Sequence, residues 1–200
     1  MKGFLSLMFC LERLKQTART GWNMEFPPDS RFKTRRVKDA ESVADHSWCV
    51  AMFALAVAHE LGLDGFKMAW MALVHDVAEL VTLDIVTATL DPMQRQNAEA
   101  EKRMLEDAAM REIFLPYGEW GSRSYELWLE FEARATPEAR ALKQIDKLET
   151  CIQALFYREL GHDVNPVEFF DEAEAFMKDP EFVNMLARLR ERADSGERRL

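Results

Sequence analysis

Cysteine and histidine are scarce in this sequence and basic residues are outnumbered by acidic ones, and each shortage excludes something. Three cysteines in 200 residues, Cys10, Cys49 and Cys151, are odd in number and show no Cys-x-x-Cys spacing. They exclude a disulfide framework and a zinc ribbon, and a reducing cytoplasm is the expected compartment. No apolar run approaches the roughly 20 residues that span a bilayer, so a soluble chain is expected, with no membrane partner. The apolar start, Met1 to Leu11, runs straight into Glu12, Arg13 and Lys15 without a small-residue cleavage site. Its Phe4, Met8, Leu11, Leu14 and Ala18 recur at helical spacing, which predicts an amphipathic helix rather than a signal peptide. Lys and Arg number 26 against 35 Asp and Glu, a net charge of -9. That excludes a chain whose main task is gripping a polymeric nucleic acid, and any bound phosphate needs positive charge supplied locally.

Alternating runs joined by Asn-Gly or Asp-Gly are missing as well, while helical periodicity is everywhere, so the expected fold class is all-α. With 48% hydrophobic and 30% charged residues, the chain is composed to fold as one domain over 1-200. After the first helix, Gly21 to Lys38 reads as a basic, proline-containing loop (Pro27, Pro28, Arg31, Lys33, Arg35, Arg36, Lys38). A second helix begins near Glu41 to Asp45 and ends at Leu61 before Gly62. A third runs from about Phe66 to Leu80, apolar nearly all round from Met68 to Val74, as befits a buried central helix. Asp91-Pro92 starts a polar helix through Glu106, Gly118 to Ser122 mark a turn, and Tyr125 to Arg134 form another helix. Thr136-Pro137 opens a long helix from Glu138 to Leu160, stopped by Gly161. Asn165-Pro166 and Asp179-Pro180 signal two more, and Asp194 to Leu200 is a charged tail.

Only four histidines are present: His46, His59, His75 and His162. His75 and Asp76 end the apolar third helix, and Glu79 follows at helical spacing, so three polar side chains converge on one face. Burying carboxylates there is costly unless they are paired, capped or bound to a cation. Each residue alone has a plainer explanation. Asp76 and Glu79 could decorate a solvated helix end, His46 could support the cap beside Asp45, and Asp146 could belong to a solvated flank of the Leu142, Ile145, Leu148, Ile152 stripe. His59 lies on the face opposite His46 and His162 follows a glycine stop, so both read as structural or surface residues.

The order of these residues is more telling than any one of them. Glu41-Ser42-Val43-Ala44-Asp45-His46-Ser47, Ala72-Leu73-Val74-His75-Asp76-Val77-Ala78-Glu79 and Leu142-Lys143-Gln144-Ile145-Asp146-Lys147-Leu148-Glu149 follow one another as in the HD domain. Over about residues 10-160 the chain resembles the HD-domain phosphohydrolases, in particular the branch of the bacterial 5'-deoxynucleotidases and their eukaryotic relatives. Arg19-Thr20-Gly21-Trp22 is similar to that branch's entry motif. The resemblance implies an HD-type helical bundle and one divalent ion (Mn, Co, Fe, Zn or Mg) held by His46, His75, Asp76 and Asp146. Family members with two metals recruit further histidines between the His-Asp pair and the last Asp; none occurs from Val77 to Ile145, so a mononuclear site is expected.

The implied reaction is hydrolysis of a (deoxy)nucleoside 5'-monophosphate, with the metal activating a bound water. Glu79 would orient or deprotonate that water, and Asp84 matches an acidic residue near the substrate. Arg19 would clamp the phosphate and Trp22 pack against sugar or base. Leu83 and Val86 depart from the family's glycine before Asp84 and proline two residues after it, and the basic stretch after Trp22 is longer than in relatives. A noncatalytic HD module binding a nucleotide or partner protein, and a phosphodiesterase on the same metal site, are the alternatives. Phe169, Phe170, Phe176, Phe182, Met185 and Leu189 in the C-terminal region, 161-200, are expected to complete the core or a homodimer interface.

Overall fold

A computed structural model describes residues 2-25, 34, 36-87 and 90-195. Among these, ten α-helices and two 3₁₀ turns make up the regular structure, and the extended pairing is a single isolated antiparallel bridge between Ala18 and Ser42. The all-α expectation holds. None of these helices is long and apolar enough to cross a membrane. Of the basic stretch, Arg31, Lys33 and Arg35 lie outside the described residues, as does the end of the charged tail.

Helix α1 (Lys2–Glu12) tightens into a 3₁₀ turn at Arg13–Gln16 instead of continuing to Ala18. Thr17 stops it: its backbone is extended and its hydroxyl bonds back to the Arg13 carbonyl at 3.1 Å. Residues 17-19 then lie against the start of the next long helix, with Val43 N donating to Thr17 O (2.9 Å) and Arg19 N to Glu41 O (3.4 Å). Arg19 therefore enters the interior from a pinned backbone. It leads into α2 (Thr20–Asn23), one helical turn where a loop is expected from Gly21.

Helix α3 (Val43–Leu61) begins at a reciprocal cap in which Asp45 N donates to the Ser42 hydroxyl and Ser42 N donates to the Asp45 carboxylate. Gly62, at φ 65°, ends it in the left-handed conformation that glycine takes freely. Helix α4 (Gly65–Val74) packs closely on α3 because the facing residues are small: Ala51, Ala54, Ala58, Ala69 and Ala72 are all buried.

The third helix is shorter than its apolar pattern suggests. It stops at Val74, before the His-Asp pair, although the next residues keep right-handed helical dihedrals. From Val74 to Leu80 the hydrogen bonds span three residues (Val77 N to Val74 O, Glu79 N to Asp76 O, Leu80 N to Val77 O), leading into the single turn α5 (Glu79–Thr82). Three residues per turn eclipses side chains three apart, which sets Asp76 and Glu79 one above the other. Apolar periodicity alone does not separate this tight winding from a continuing α-helix.

Helix α6 (Pro92–Phe114) is capped by Asp91, whose carboxylate accepts from Met93 N and Gln94 N, and runs well past Glu106. After a 3₁₀ turn at Leu115–Tyr117 comes α7 (Gly118–Ala133). Gly118 to Ser122 thus belong to a helix rather than to a turn. Gly121 is there for space: a Cβ would lie 1.9 Å from the Phe114 carbonyl oxygen. Helix α8 (Pro137–Glu159), capped by the Thr136 hydroxyl on Ala139 N, traverses the core, and α9 (Pro166–Glu174) and α10 (Pro180–Ser195) close it. Phe170, Phe182 and Leu186 are buried there, whereas Met185 is exposed. The buried Gln144 on α8 fixes the turn between them, its side-chain oxygen accepting from Lys178 N (2.7 Å) and Asp179 N (3.0 Å).

Candidate metal centre and its cavity

Three chain segments meet at the centre of the bundle. The α3 face brings His46, fully buried; the 3₁₀ winding after α4 brings His75 and Asp76; and α8 brings Asp146. His46 Nε2 lies 3.2 Å from Asp146 Oδ1 and 3.8 Å from Asp76 Oδ2, and His75 Nε2 lies 3.1 Å from the same Asp76 oxygen. Donors about 2.1 Å from a shared ion are themselves roughly 3 Å apart, so these separations suit one common ligand.

The tautomers point the same way. His75 Nδ1 is 2.7 Å from the Ala72 carbonyl, an acceptor only, so Nδ1 carries the proton and Nε2 is left with a free lone pair. His46 Nδ1 is 2.6 Å from Glu149 Oε2, and donation to that carboxylate likewise turns the Nε2 lone pair inward. Both Nε2 atoms, together with Glu79 Oε2, are buried and without a hydrogen-bond partner. Buried polar atoms are normally satisfied, and a cation among them satisfies both imidazoles and neutralises the carboxylates. His46, His75 and Asp146 offer donor atoms that all lie within 4.8 Å of one another, a set that fits a divalent ion, and Asp76 stands beside both imidazoles at the edge of that cluster.

Electrostatics follow from crowding. Burial and Arg19 push the His46 imidazole down, but the carboxylates of Asp146 and Glu149 beside its two nitrogens prevail and hold its pKa up at about 10 when no cation is present. Asp146 is buried too, which works upward, yet Lys143 and Lys147 hold it well below the ordinary carboxylate range; Lys143 Nζ sits 2.8 Å from its Oδ2. Glu79 goes the other way. Burial, then the charges of Asp76 and Asp84, raise its carboxyl well above the usual value.

The centre opens into a cavity of about 1230 Å³, somewhat larger than most small-molecule pockets. Arg19 crosses its inner wall with Nη1 3.4 Å from Asp76 Oδ2, held in the field of Asp84, Asp76, Glu79 and Glu41. Asp84 accepts from Thr20 N at 2.8 Å, which ties the acidic loop to the Arg19 segment. Trp22 is 2% exposed: its ring packs against Tyr157 and Phe169, its Nε1 donates to Glu41 Oε1 at 2.9 Å, and it lines the cavity. His59 is exposed at the end of α3 and His162 packs edge-on to Tyr157; neither lines the cavity.

Several wall residues escape a reading by local pattern. Lys102, from α6, lies 3.7 Å from Glu79 Oε1 and 3.4 Å from Glu106, whose carboxyl burial raises to about 7. Lys143 and Lys147 come from α8, and Phe169, Glu172 and Phe176 from the α9 region, so the C-terminal helices supply a wall of the site as well as core. Glu149 had a signal in the sequence, standing three residues after Asp146 and so on a neighbouring face of the same helix. The α6 and α9 residues had none, because their approach is purely tertiary.

Comparison with known proteins agrees with the fold. The HD domain family matches residues 11-178. Over 198 residues the chain is 31% identical to the 5'-deoxynucleotidase HDDC2 of Danio rerio, covering 96% of this chain and 88% of that one. Among solved structures, the PH0347 protein of Pyrococcus horikoshii OT3 superposes with a TM-score of 0.70 at 28% identity, over 92% of this chain and 99% of that one. A protein titled predicted metal-dependent phosphohydrolase, from Magnetospirillum magnetotacticum MS-1, shares the fold with a TM-score of 0.65 at 23% identity, over 96% and 94%.

Proposed function

The chain belongs to the HD domain family, and from that footing we propose that it is a metal-dependent phosphohydrolase that converts (deoxy)nucleoside 5'-monophosphates to nucleoside and phosphate at a single divalent ion. The observation that carries the reading is the pair of buried, unpartnered imidazole Nε2 atoms facing Asp76 and Asp146. His46, His75, Asp76 and Asp146 would hold the ion, which when bound supplies charge neutralisation at the phosphoryl group and a lowered pKa for water.

The chain's own groups account for the remaining steps. Glu79, with one carboxylate oxygen unpartnered and buried at the cavity floor, orients and deprotonates the attacking water. Water's oxygen bonds to phosphorus as the bond to the nucleoside oxygen breaks, and that oxygen takes up the proton that Glu79 removed from the water, passed on by way of Asp84. Arg19, fixed at both backbone and guanidinium, binds the phosphoryl oxygens. Trp22 holds Glu41 and the wall behind Arg19. The net charge of -9 supports a small nucleotide over a polymeric nucleic acid. Exposed Phe9, Trp48, Met52 and Phe66 support a homodimer, and the free cysteines support a cytoplasmic setting.

The test is a phosphate-release panel on protein stripped of metal and reloaded with Mn, Co, Fe, Zn or Mg. Release from nucleoside monophosphates that disappears in His75→Ala is the expected result. Silence across every nucleotide and metal would overturn the proposal, and tight nucleotide binding without turnover would leave the noncatalytic alternative.

A further inference from the structure

The cavity's cations are nearly all committed to carboxylates. Arg19 pairs with Asp76, Lys102 with Glu106 and Glu79, Lys143 with Asp146, and Arg95 with Glu99 and Glu172. Arg103 and Arg134 are solvent-exposed and free to hydrate. Lys147 differs. It is half-buried, lines the cavity directly after the ligand Asp146, and makes no hydrogen bond or ion pair with the described residues. The Phe176 ring, 5.3 Å from Nζ, is its one close partner.

An ammonium taken out of water without a counter-ion is costly, and a ring face offsets that cost only in part. Its charged neighbours are mixed: Asp146 and Glu172 attract, while Lys143 and Arg19 repel. Asp146 is already occupied by Lys143, and Glu172 by Arg95. A region where a committed arginine and an uncommitted lysine face the same cavity beside a cation centre lacks a compact anion of more than one negative charge.

We infer that Lys147 is a substrate-binding residue, the second cation that, with Arg19, holds the dianionic phosphoryl group of a phosphomonoester. The inference rests on the nucleotide-hydrolase reading and deepens it. A phosphomonoester dianion satisfies two protein cations, whereas a diester monoanion leaves one of them underused, so Lys147 tilts the site toward monoesters. Lysine suits the task as a point charge on a flexible stem, next to an arginine already locked in place.

The test uses metal-loaded full-length protein with inorganic phosphate as the probe, read by calorimetry, and metal content read by elemental analysis. Lys147→Met is expected to weaken phosphate binding about tenfold or more, as loss of a charge-assisted hydrogen bond does, with metal content unchanged. Lys147→Arg is expected to recover much of that loss. With a nucleoside monophosphate, KM in Lys147→Met should rise by a similar factor while kcat falls less, the mark of uniform binding. Equal phosphate affinity in wild type and Lys147→Met overturns the inference, as does a wild type that binds no phosphate. Loss of metal alongside loss of phosphate also overturns it, assigning Lys147 to the support of Asp146. Phosphate binding that depends on Lys147 in a protein that turns over no nucleotide would sink the hydrolase reading and leave the anion site standing.

Discussion

His46 Nδ1 and Glu149 Oε2 lie 2.6 Å apart, both buried, and this pair orients the imidazole whose other nitrogen faces Asp146. A carboxylate behind a ligating histidine fixes its tautomer and raises its basicity. Glu149→Gln can accept the same hydrogen bond without the charge, so the ring stays in place while its basicity falls. Metal affinity in Glu149→Gln is expected to drop roughly 10- to 100-fold, measured by competition with a chelating dye. An affinity equal to wild type would reduce Glu149 to packing.

Proton release is the second consequence of that pair. Without metal the His46 imidazole stays charged up to about pH 10, whereas a ligand imidazole must be neutral. At neutral pH, below that value, each ion bound therefore expels one proton from His46, and affinity should climb about tenfold per pH unit until the imidazole is neutral in the free protein. Calorimetric titration in two buffers of different ionisation enthalpy checks the sign. Identical apparent enthalpies would contradict it.

Glu79 gives a test of chemistry separate from metal binding. Its Oε2 is unpartnered and it falls outside the His46, His75, Asp146 donor cluster, so Glu79→Gln should keep the ion while losing the base. A fall in kcat of about 10²- to 10⁴-fold is expected at unchanged metal content. Metal loss in Glu79→Gln would instead make Glu79 a ligand.

Ion binding should also appear as stability, because the ligands come from three segments that unfolding separates. Metal at about 100 times its Kd adds about 2.7 kcal/mol, which for a chain of this size is roughly 5–10 °C in Tm. Melting with and without a chelator reads this directly, and coincident curves would argue against a preformed centre.

How much of this was legible beforehand depends on the range of the forces involved. The caps at Asp91 and Thr136 could be read because capping is decided within four residues. The end of α4 at Val74 could not, since the α-helix and the 3₁₀ winding that follows share dihedral sign and apolar pattern. Gly121 reads as a turn signal in sequence and proves to be a close approach to Phe114, a distinction made by a partner seven residues away. In the centre, the order His46, His75-Asp76, Asp146 carried enough information to name the cluster. Lys102, Glu172 and Lys147 enter through helix packing, and nothing local to them announces it.

Leu83 joins the two levels. The family resemblance implies a glycine before the acidic residue where this sequence has Leu83, and the backbone there adopts a glycine conformation, φ 61° and ψ 167°, which side-chain-bearing residues avoid. Such a position costs of order 1–3 kcal/mol, and the leucine recovers little by burial because it is 64% exposed. The geometry persists because both flanks are pinned: Leu83 N donates to Glu79 O at 3.0 Å, and the next residue, Asp84, accepts from Thr20 N. Leu83→Gly removes the strain but makes the unfolded chain more flexible, at about 0.5–1 kcal/mol. The balance favours the variant, which should be more stable by about 1 kcal/mol in denaturant unfolding. A Leu83→Gly protein less stable than wild type would mean that Leu83 is held by contacts stronger than its exposure indicates, and that the departure from glycine is a compensated feature of this loop.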